Sequence, residues 1–226
     1  MFDGFVLARL LSDFLFAFTT IFALVNPPGI ALIFHARTGN LSEPERAKLA
    51  RSVAFYSYCI LLGSLWFGAV VLGFFGISVP ALRIGGGLVV ALSGYQMLTR
   101  DGPEEAAQSA EALGRAAFFP LTLPLTIGPG SIAAAIAIGA DTRGSWARVL
   151  QSAVSSAIVA FAMAATIYLF YKNSAALVRV LGPEGTAIAT RLTAFLLFCL
   201  GIQIMLTGVL GAVQPLLDAI AVPPAP

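Results

Sequence analysis

Six apolar stretches, each long enough to cross a bilayer, limit what this chain can fold into. They run from Phe14 to Phe34, Ser52 to Phe75, Ile77 to Leu98, Ala116 to Ala140, Val149 to Tyr171 and Leu192 to Leu217, and the one formal charge inside them is Arg83. A hydrocarbon core about 30 Å thick takes about 20 helical residues at about 1.5 Å each. Six such helices in 226 residues leave only short loops, so no separate soluble domain is expected. Composition points the same way: 11% of residues are charged, against about 25% in an ordinary soluble domain. The expected fold is an all-α membrane protein with the lipid bilayer as its solvent. The first run has no basic stretch before it and no small-residue cleavage site after its Pro-Pro-Gly interruption, so it is expected to stay as a helix rather than be removed as a signal peptide.

Lys and Arg number 13 against 11 Asp and Glu, a net charge of +2 too weak and too scattered to suggest nucleic acid, so no nucleic acid partner is expected. The charge informs orientation instead. One set of alternate loops holds Arg37, Arg46, Lys48, Arg51, Arg100, Arg115, Lys172, Arg179 and Arg191; the other holds Arg9, Arg83, Arg143 and Arg148. The positive-inside rule places the richer set in the cytoplasm and both termini outside. Ser42, Pro44 and Glu45 read as the capped start of a short interfacial helix after the first span. Cys59 and Cys199 lie in apolar runs without zinc or scaffold spacing and are expected to be free, buried thiols.

Two of the runs carry an interruption. The first contains Asn26-Pro27-Pro28-Gly29 and the fourth contains Ile127-Gly128-Pro129-Gly130-Ser131. The third and sixth each carry Gly-x-Gln, as Gly94 and Gln96 and as Gly201 and Gln203, at an offset of 107. The chain therefore reads as two repeats, residues 1–103 and 104–226. With three spans apiece, an odd number, the second repeat enters the membrane from the opposite face. Six transmembrane helices in two inverted three-helix repeats, with helices 1 and 4 broken, is an architecture shared by many secondary transporters.

The same residues carry a resemblance. Phe22 to Gly29 (Phe-Ala-Leu-Val-Asn-Pro-Pro-Gly) and Pro120 to Gly130 (Pro-Leu-Thr-Leu-Pro-Leu-Thr-Ile-Gly-Pro-Gly) are similar to the signature pair of the MarC family of bacterial inner-membrane proteins, the second motif being the more specific. Length, six spans and the paired Gly-x-Gln helices agree along nearly the whole chain. The resemblance implies kinship with the lysine-exporter-type superfamily and, by analogy with its relatives, transport of small neutral amino acids such as alanine, glycine or threonine in the bacterial cytoplasmic membrane. One departure is the doubled proline, Pro27-Pro28, where the family usually has a single proline followed by an aliphatic residue and glycine.

The residue chemistry suits such a substrate. Proline inside a helix removes one N–H and blocks a carbonyl a turn earlier, and glycine lets the chain leave helical dihedrals. The expected result is free carbonyls at Leu24, Val25 and Asn26 and at Leu125, Thr126 and Ile127, with free amides after Gly29 and after Gly130. A zwitterion's ammonium fits the first set and its carboxylate the second, without any charged side chain. The candidate substrate-binding residues are Asn26, Pro28, Gly29, Thr126, Gly128, Pro129, Gly130 and Ser131. Asn26 is a candidate cap and Ser131 a hydroxyl beside the amides. Thr122 and Thr126 share a helical face and either line the site or back-bond to their own helix. Gln96 and Gln203 are either site residues or interhelical hydrogen-bond partners.

Charged groups near the spans, Arg83, Arg191 and Asp13, read first as interface anchors, with gating by the arginines and proton relay by Asp13 as open alternatives. His35 has no second ligand in view, so no metal and no cofactor are expected. The chain has no P-loop, no His-Glu-x-x-His, no pair of membrane aspartates and no Ser with a membrane His, which argues against an enzyme. The alternatives to an amino acid exporter are an exporter of another small polar metabolite or a non-transporting scaffold or assembly partner. Proton coupling and homo-oligomerisation stay open.

Overall fold

The computed structural model describes residues 2–99, 117–140 and 146–221. Every element among them is helical: α1 (Phe2–Val25), α2 (Pro27–Thr38), α3 (Glu43–Phe74), α4 (Val79–Thr99), the distorted α5 (Ala117–Thr126), α6 (Pro129–Ala140), α7 (Trp146–Lys172) and α8 (Ser174–Ala221). Both predicted interruptions are present. The first lies between α1 and α2, the second between α5 and α6.

Local chemistry explains most of the boundaries. Asn26 precedes a proline, which disfavours the right-handed helical region, and it stands at φ 47°, ψ 61°. It is the one non-glycine residue with positive φ among those described. Asn is among the few side chains that tolerate this conformation. Inside α5, Phe119 and Leu123 have extended dihedrals, and each precedes a proline, so the same steric rule repeats twice within one segment. The end of α3 is closed by Gly76 at φ 67°: the Ile77 N–H donates to the Leu72 carbonyl at 2.9 Å and the Gly76 N–H to Gly73 at 3.1 Å, a Schellman closure.

The short interfacial helix expected after the first span is not a separate element. Its cap exists, with the Glu45 carboxylate accepting from the Ser42 backbone N–H at 3.0 Å and from its hydroxyl at 2.6 Å. The helix it starts continues unbroken through 32 residues to Phe74. Nothing between Lys48 and Ser52 breaks helical hydrogen bonding, so charge alone does not end a helix there. In α8 the chain kinks at Gly182, φ 68°.

Five helical stretches are long and apolar enough to span a bilayer: Leu10–Thr38, which takes in α1 and α2, Glu43–Phe74, Val79–Thr99, Leu150–Lys172 and Ser174–Gln214. The predicted fourth span, Ala116–Ala140, is instead two short pieces, α5 and α6, of 10 and 12 residues. Residue 116 and the 103/104 repeat boundary lie outside the described residues.

Helix α4 packs along α8 and α3 along α7; α3 also packs on α5 and α6, α7 on α1 and α2, α4 on α6, and α8 on α2. The interrupted pair cross-contact, α1 with α6 and α2 with α5. The shared core holds Ile21, Val25, Phe34, Leu61, Leu121, Ile127, Met163 and Tyr171, all essentially inaccessible. The outer surface is apolar as well, with Phe67, Phe74, Phe161 and Leu150 exposed. So large an apolar exterior is incompatible with water and matches a lipid solvent. Cys59 and Cys199 are free, as expected, but exposed on this exterior rather than buried: an apolar run in a membrane helix does not distinguish the lipid face from the protein face.

Candidate functional site

The first interruption is more fully satisfied than proline chemistry alone suggests. The Asn26 N–H donates to the Phe22 carbonyl at 2.7 Å, and the Asn26 carbonyl accepts from Ile30 N–H at 3.0 Å. The Asn26 side-chain oxygen accepts from the Gly29 N–H at 3.3 Å. The expected free amides after Gly29 are therefore used internally, and Pro27 and Pro28 have none to offer. The carbonyls that lose their helical donors are those of Ala23 and Leu24, whose partners four residues on are Pro27 and Pro28, and of Val25, whose partner Gly29 is taken by Asn26. This shifts the set one residue back from Leu24, Val25 and Asn26. Gly29 is buried, and a side chain there would collide with Thr193 of α8.

The second interruption is open where the first is closed. Gly128 caps α6, its carbonyl accepting from the Ile132 N–H at 3.2 Å and from the Ser131 hydroxyl at 2.8 Å. Ser131 thus turns back onto its own turn. Pro129 has no N–H, which leaves those of Gly130 and Ser131 as the helix-start donors without a partner inside α6. Gly130 is also a packing position: an added Cβ would meet Val90 of α4 and, at 3.5 Å, Ile204 of α8. On the facing helix, a Cβ at Gly86 would sit 3.2 Å from the Pro129 carbonyl.

Both threonines of α5 back-bond across five residues, Thr122 to the Ala117 carbonyl at 2.7 Å and Thr126 to Leu121 at 2.6 Å. Five-residue spacing follows from the two prolines, which widen the turn, and the Ile127 N–H likewise reaches Thr122 at 2.8 Å. Thr126 has a second contact that sequence reasoning missed: its hydroxyl lies 2.7 Å from that of Tyr171 in α7. Tyr171 stacks on Phe34 of α2, with ring centroids 4.2 Å apart. The one available signal was a tyrosine ending an otherwise apolar run, since a buried tyrosine hydroxyl needs a partner.

Gln96 and Gln203 are not brought to the interruptions. Both are exposed on the outer faces of α4 and α8. The small Gly-x-Gln residue, not the amide, is what the helix pair uses, because Gly94 and Gly201 are buried in the α4–α8 contact. Asp13 and Arg191 are exposed and Arg83 half-buried.

An all-helical, multi-pass chain with an apolar exterior and two helices interrupted inside its core is an integral membrane protein. The model of the MarC family integral membrane proteins matches residues 11–213. The chain is 34% identical over 205 residues to the inner membrane protein MarC of Escherichia coli strain UTI89, covering 84% of this chain and 91% of that relative; the protein of the same name in strain SMS-3-5 is 33% identical with the same coverage. This chain belongs to the MarC family. No solved structure matches it.

Proposed function

We propose that this protein is a secondary transporter carrying small neutral amino acids, such as alanine, glycine or threonine, outward across the inner membrane in which its relatives are named. The observation that carries the reading is the complementarity of two helix ends. Helix α1 finishes with the carbonyls of Ala23, Leu24 and Val25 lacking helical donors, α6 begins with the N–H groups of Gly130 and Ser131 lacking helical acceptors, and α1 packs on α6. Val25 is buried, Leu24 half-buried and Ala23 exposed; a negative helix end and a positive helix start on packed helices suit the ammonium and carboxylate of a zwitterion. In this form the two poles come from different interruptions, because α2 caps itself through Asn26.

Two inverted repeats give this arrangement a symmetric frame. Exchanging α1, α2, α3 and α4 with α5, α6, α7 and α8 maps the packing of α3 on α6 onto that of α7 on α2, and of α4 on α6 onto that of α8 on α2, while α3–α7 and α4–α8 map onto themselves. A non-transporting scaffold has no need of interruptions in both halves. The exposed amides of Gln96 and Gln203 on the α4–α8 exterior support a homo-oligomer, since an amide facing hydrocarbon is costly without a partner.

Counterflow in proteoliposomes tests the reading, with radiolabelled alanine, glycine, serine and threonine against leucine. Exchange of the small substrates above empty vesicles is expected; no exchange of any removes the amino acid assignment. An imposed pH gradient in the same assay decides proton coupling. A cysteine at Ser42 is expected to label only from the cytoplasm and one at Ala225, outside the described residues, only from the exterior.

A further inference from the structure

Tyr171 joins the two interruptions from the side, and nothing in the transporter reading uses it. It is fully buried in the last turn of α7, beside Lys172. Its ring stacks on Phe34, two turns past the first interruption, at 4.2 Å and 19°. Its hydroxyl pairs with Thr126, the last residue before the second. Because the single Thr126 proton goes to the Leu121 carbonyl, Tyr171 is the donor in that pair. Phe34 and Tyr171 are 0% exposed and Thr126 1%, so a sealed layer of α2, α5 and α7 lies on the side of the interruptions that carries the α7–α8 turn. On the other side, Gly139 lies against the Leu65 backbone and Gly68 against the Ile136 side chain, a close α3–α6 contact in which each glycine meets a larger residue.

From this geometry we infer that Tyr171 is a positioning residue and latch: its hydroxyl holds Thr126 while the α2–α5–α7 side is closed, and must release it for that side to open. The inference rests on the transporter reading for its purpose, but its geometry can be tested without any substrate. Removing the hydroxyl as Tyr171→Phe preserves the stacked ring, and Thr126 keeps its bond to Leu121, so no buried donor is stranded.

The reporter is Ser131→Cys in a background with Cys59→Ser and Cys199→Ser, treated with a membrane-impermeant thiol reagent added to either face of the membrane in separate samples. Asn173→Cys identifies the face that carries the α7–α8 turn. Tyr171→Phe is expected to speed labelling of the reporter roughly fivefold from that face and not from the other, the population shift that matches one hydrogen bond of about 1 kcal/mol. Thr126→Val, which strands the buried Tyr171 hydroxyl, is expected to speed labelling from the same face more than Tyr171→Phe does, the double variant to fall back to the Tyr171→Phe rate, and Thr126→Ser, which keeps the hydroxyl, to label at the parental rate. Unchanged labelling in Tyr171→Phe, or an equal rise from both faces, would overturn the latch. In counterflow, Tyr171→Phe is expected to change turnover at saturating substrate with KM unaltered; a raised KM with unaltered turnover makes Tyr171 a substrate contact instead. If no amino acid exchanges, the labelling result still decides the latch, so the two readings fail separately.

Discussion

Gly201 lies against the main chain of Gly87 where α8 crosses α4: a Cβ at Gly201 would fall 2.7 Å from the Gly87 carbonyl oxygen, and one at Gly94 would fall 2.8 Å from that of Ala194. The pair of contacts is reciprocal, since Gly94 and Gly201, like Gly87 and Ala194, are 107 residues apart. Without a hydrophobic drive between helices in lipid, close backbone approach of this kind supplies the association.

Gly201→Ala and Gly94→Ala are therefore expected to destabilise the protein by about 1–3 kcal/mol, as overpacking does. Gly73→Ala, where nothing lies within 4 Å of the added carbon, is expected to be neutral or to gain about 0.5–1 kcal/mol from helix propensity. Unfolding in mixed micelles measures all three, and equal effects at Gly73 and Gly201 would refute the close-approach account.

At Asn26 the requirement is a left-handed backbone plus a cap for the Gly29 N–H. Asn26→Ala loses both and is expected to cost about 1–2 kcal/mol, whereas Asn26→Gly keeps the backbone and costs only a few tenths. The same unfolding assay ranks them; an alanine variant as stable as the glycine variant contradicts the assignment.

Gly130 couples the proposed carboxylate site to packing. Gly130→Ala alone confounds the two, because its methyl meets Val90. Adding Val90→Ala is expected to restore stability while leaving the N–H groups of Gly130 and Ser131 in place, and counterflow should recover with it. Restored stability without restored exchange would mean that access to the amides, and not the α4–α6 fit, limits transport.

Arg46 is buried and donates through one terminal nitrogen to the carbonyls of Thr38 at 3.3 Å and Leu41 at 3.1 Å. It thereby ties the end of α2 to α3. Arg46→Met leaves both carbonyls without this charged donor and is expected to cost about 2 kcal/mol. Proteolytic cleavage between α2 and α3 should rise with it; unchanged protection would show that the tie contributes nothing.

If a second copy covers the α4–α8 exterior, Gln203→Cys should cross-link between copies in the membrane, and Gln203→Leu should lower the oligomer fraction in detergent. Cross-linking no stronger at Gln203 than at the exposed Phe161 of α7 would place the interface elsewhere.

The interruptions were legible because their cause is covalent and local. Proline lacks an N–H wherever it falls, so Pro27, Pro28 and Pro129 mark the helix ends without knowledge of any neighbour, and the capping of α3 by Glu45 lies three residues from Ser42. Which polar groups remain free at those ends was not legible, because that depends on the left-handed turn of Asn26 and on the rotamers of Asn26 and Ser131. Nor was the orientation of Gln96, Gln203, Cys59 and Cys199. In water, burial sorts polar from apolar faces and writes a periodic pattern into the sequence; in lipid both faces of a helix are apolar, and only the packing of helices decides which residues turn inward. The Tyr171–Thr126 pair spans 45 residues and exists only because α7 lies beside α5. Sequence alone thus determined where the backbone must break and that the chain dwells in a bilayer; the tertiary structure decided what each break faces, since contacts between distant helices are set by shape rather than by local bonding.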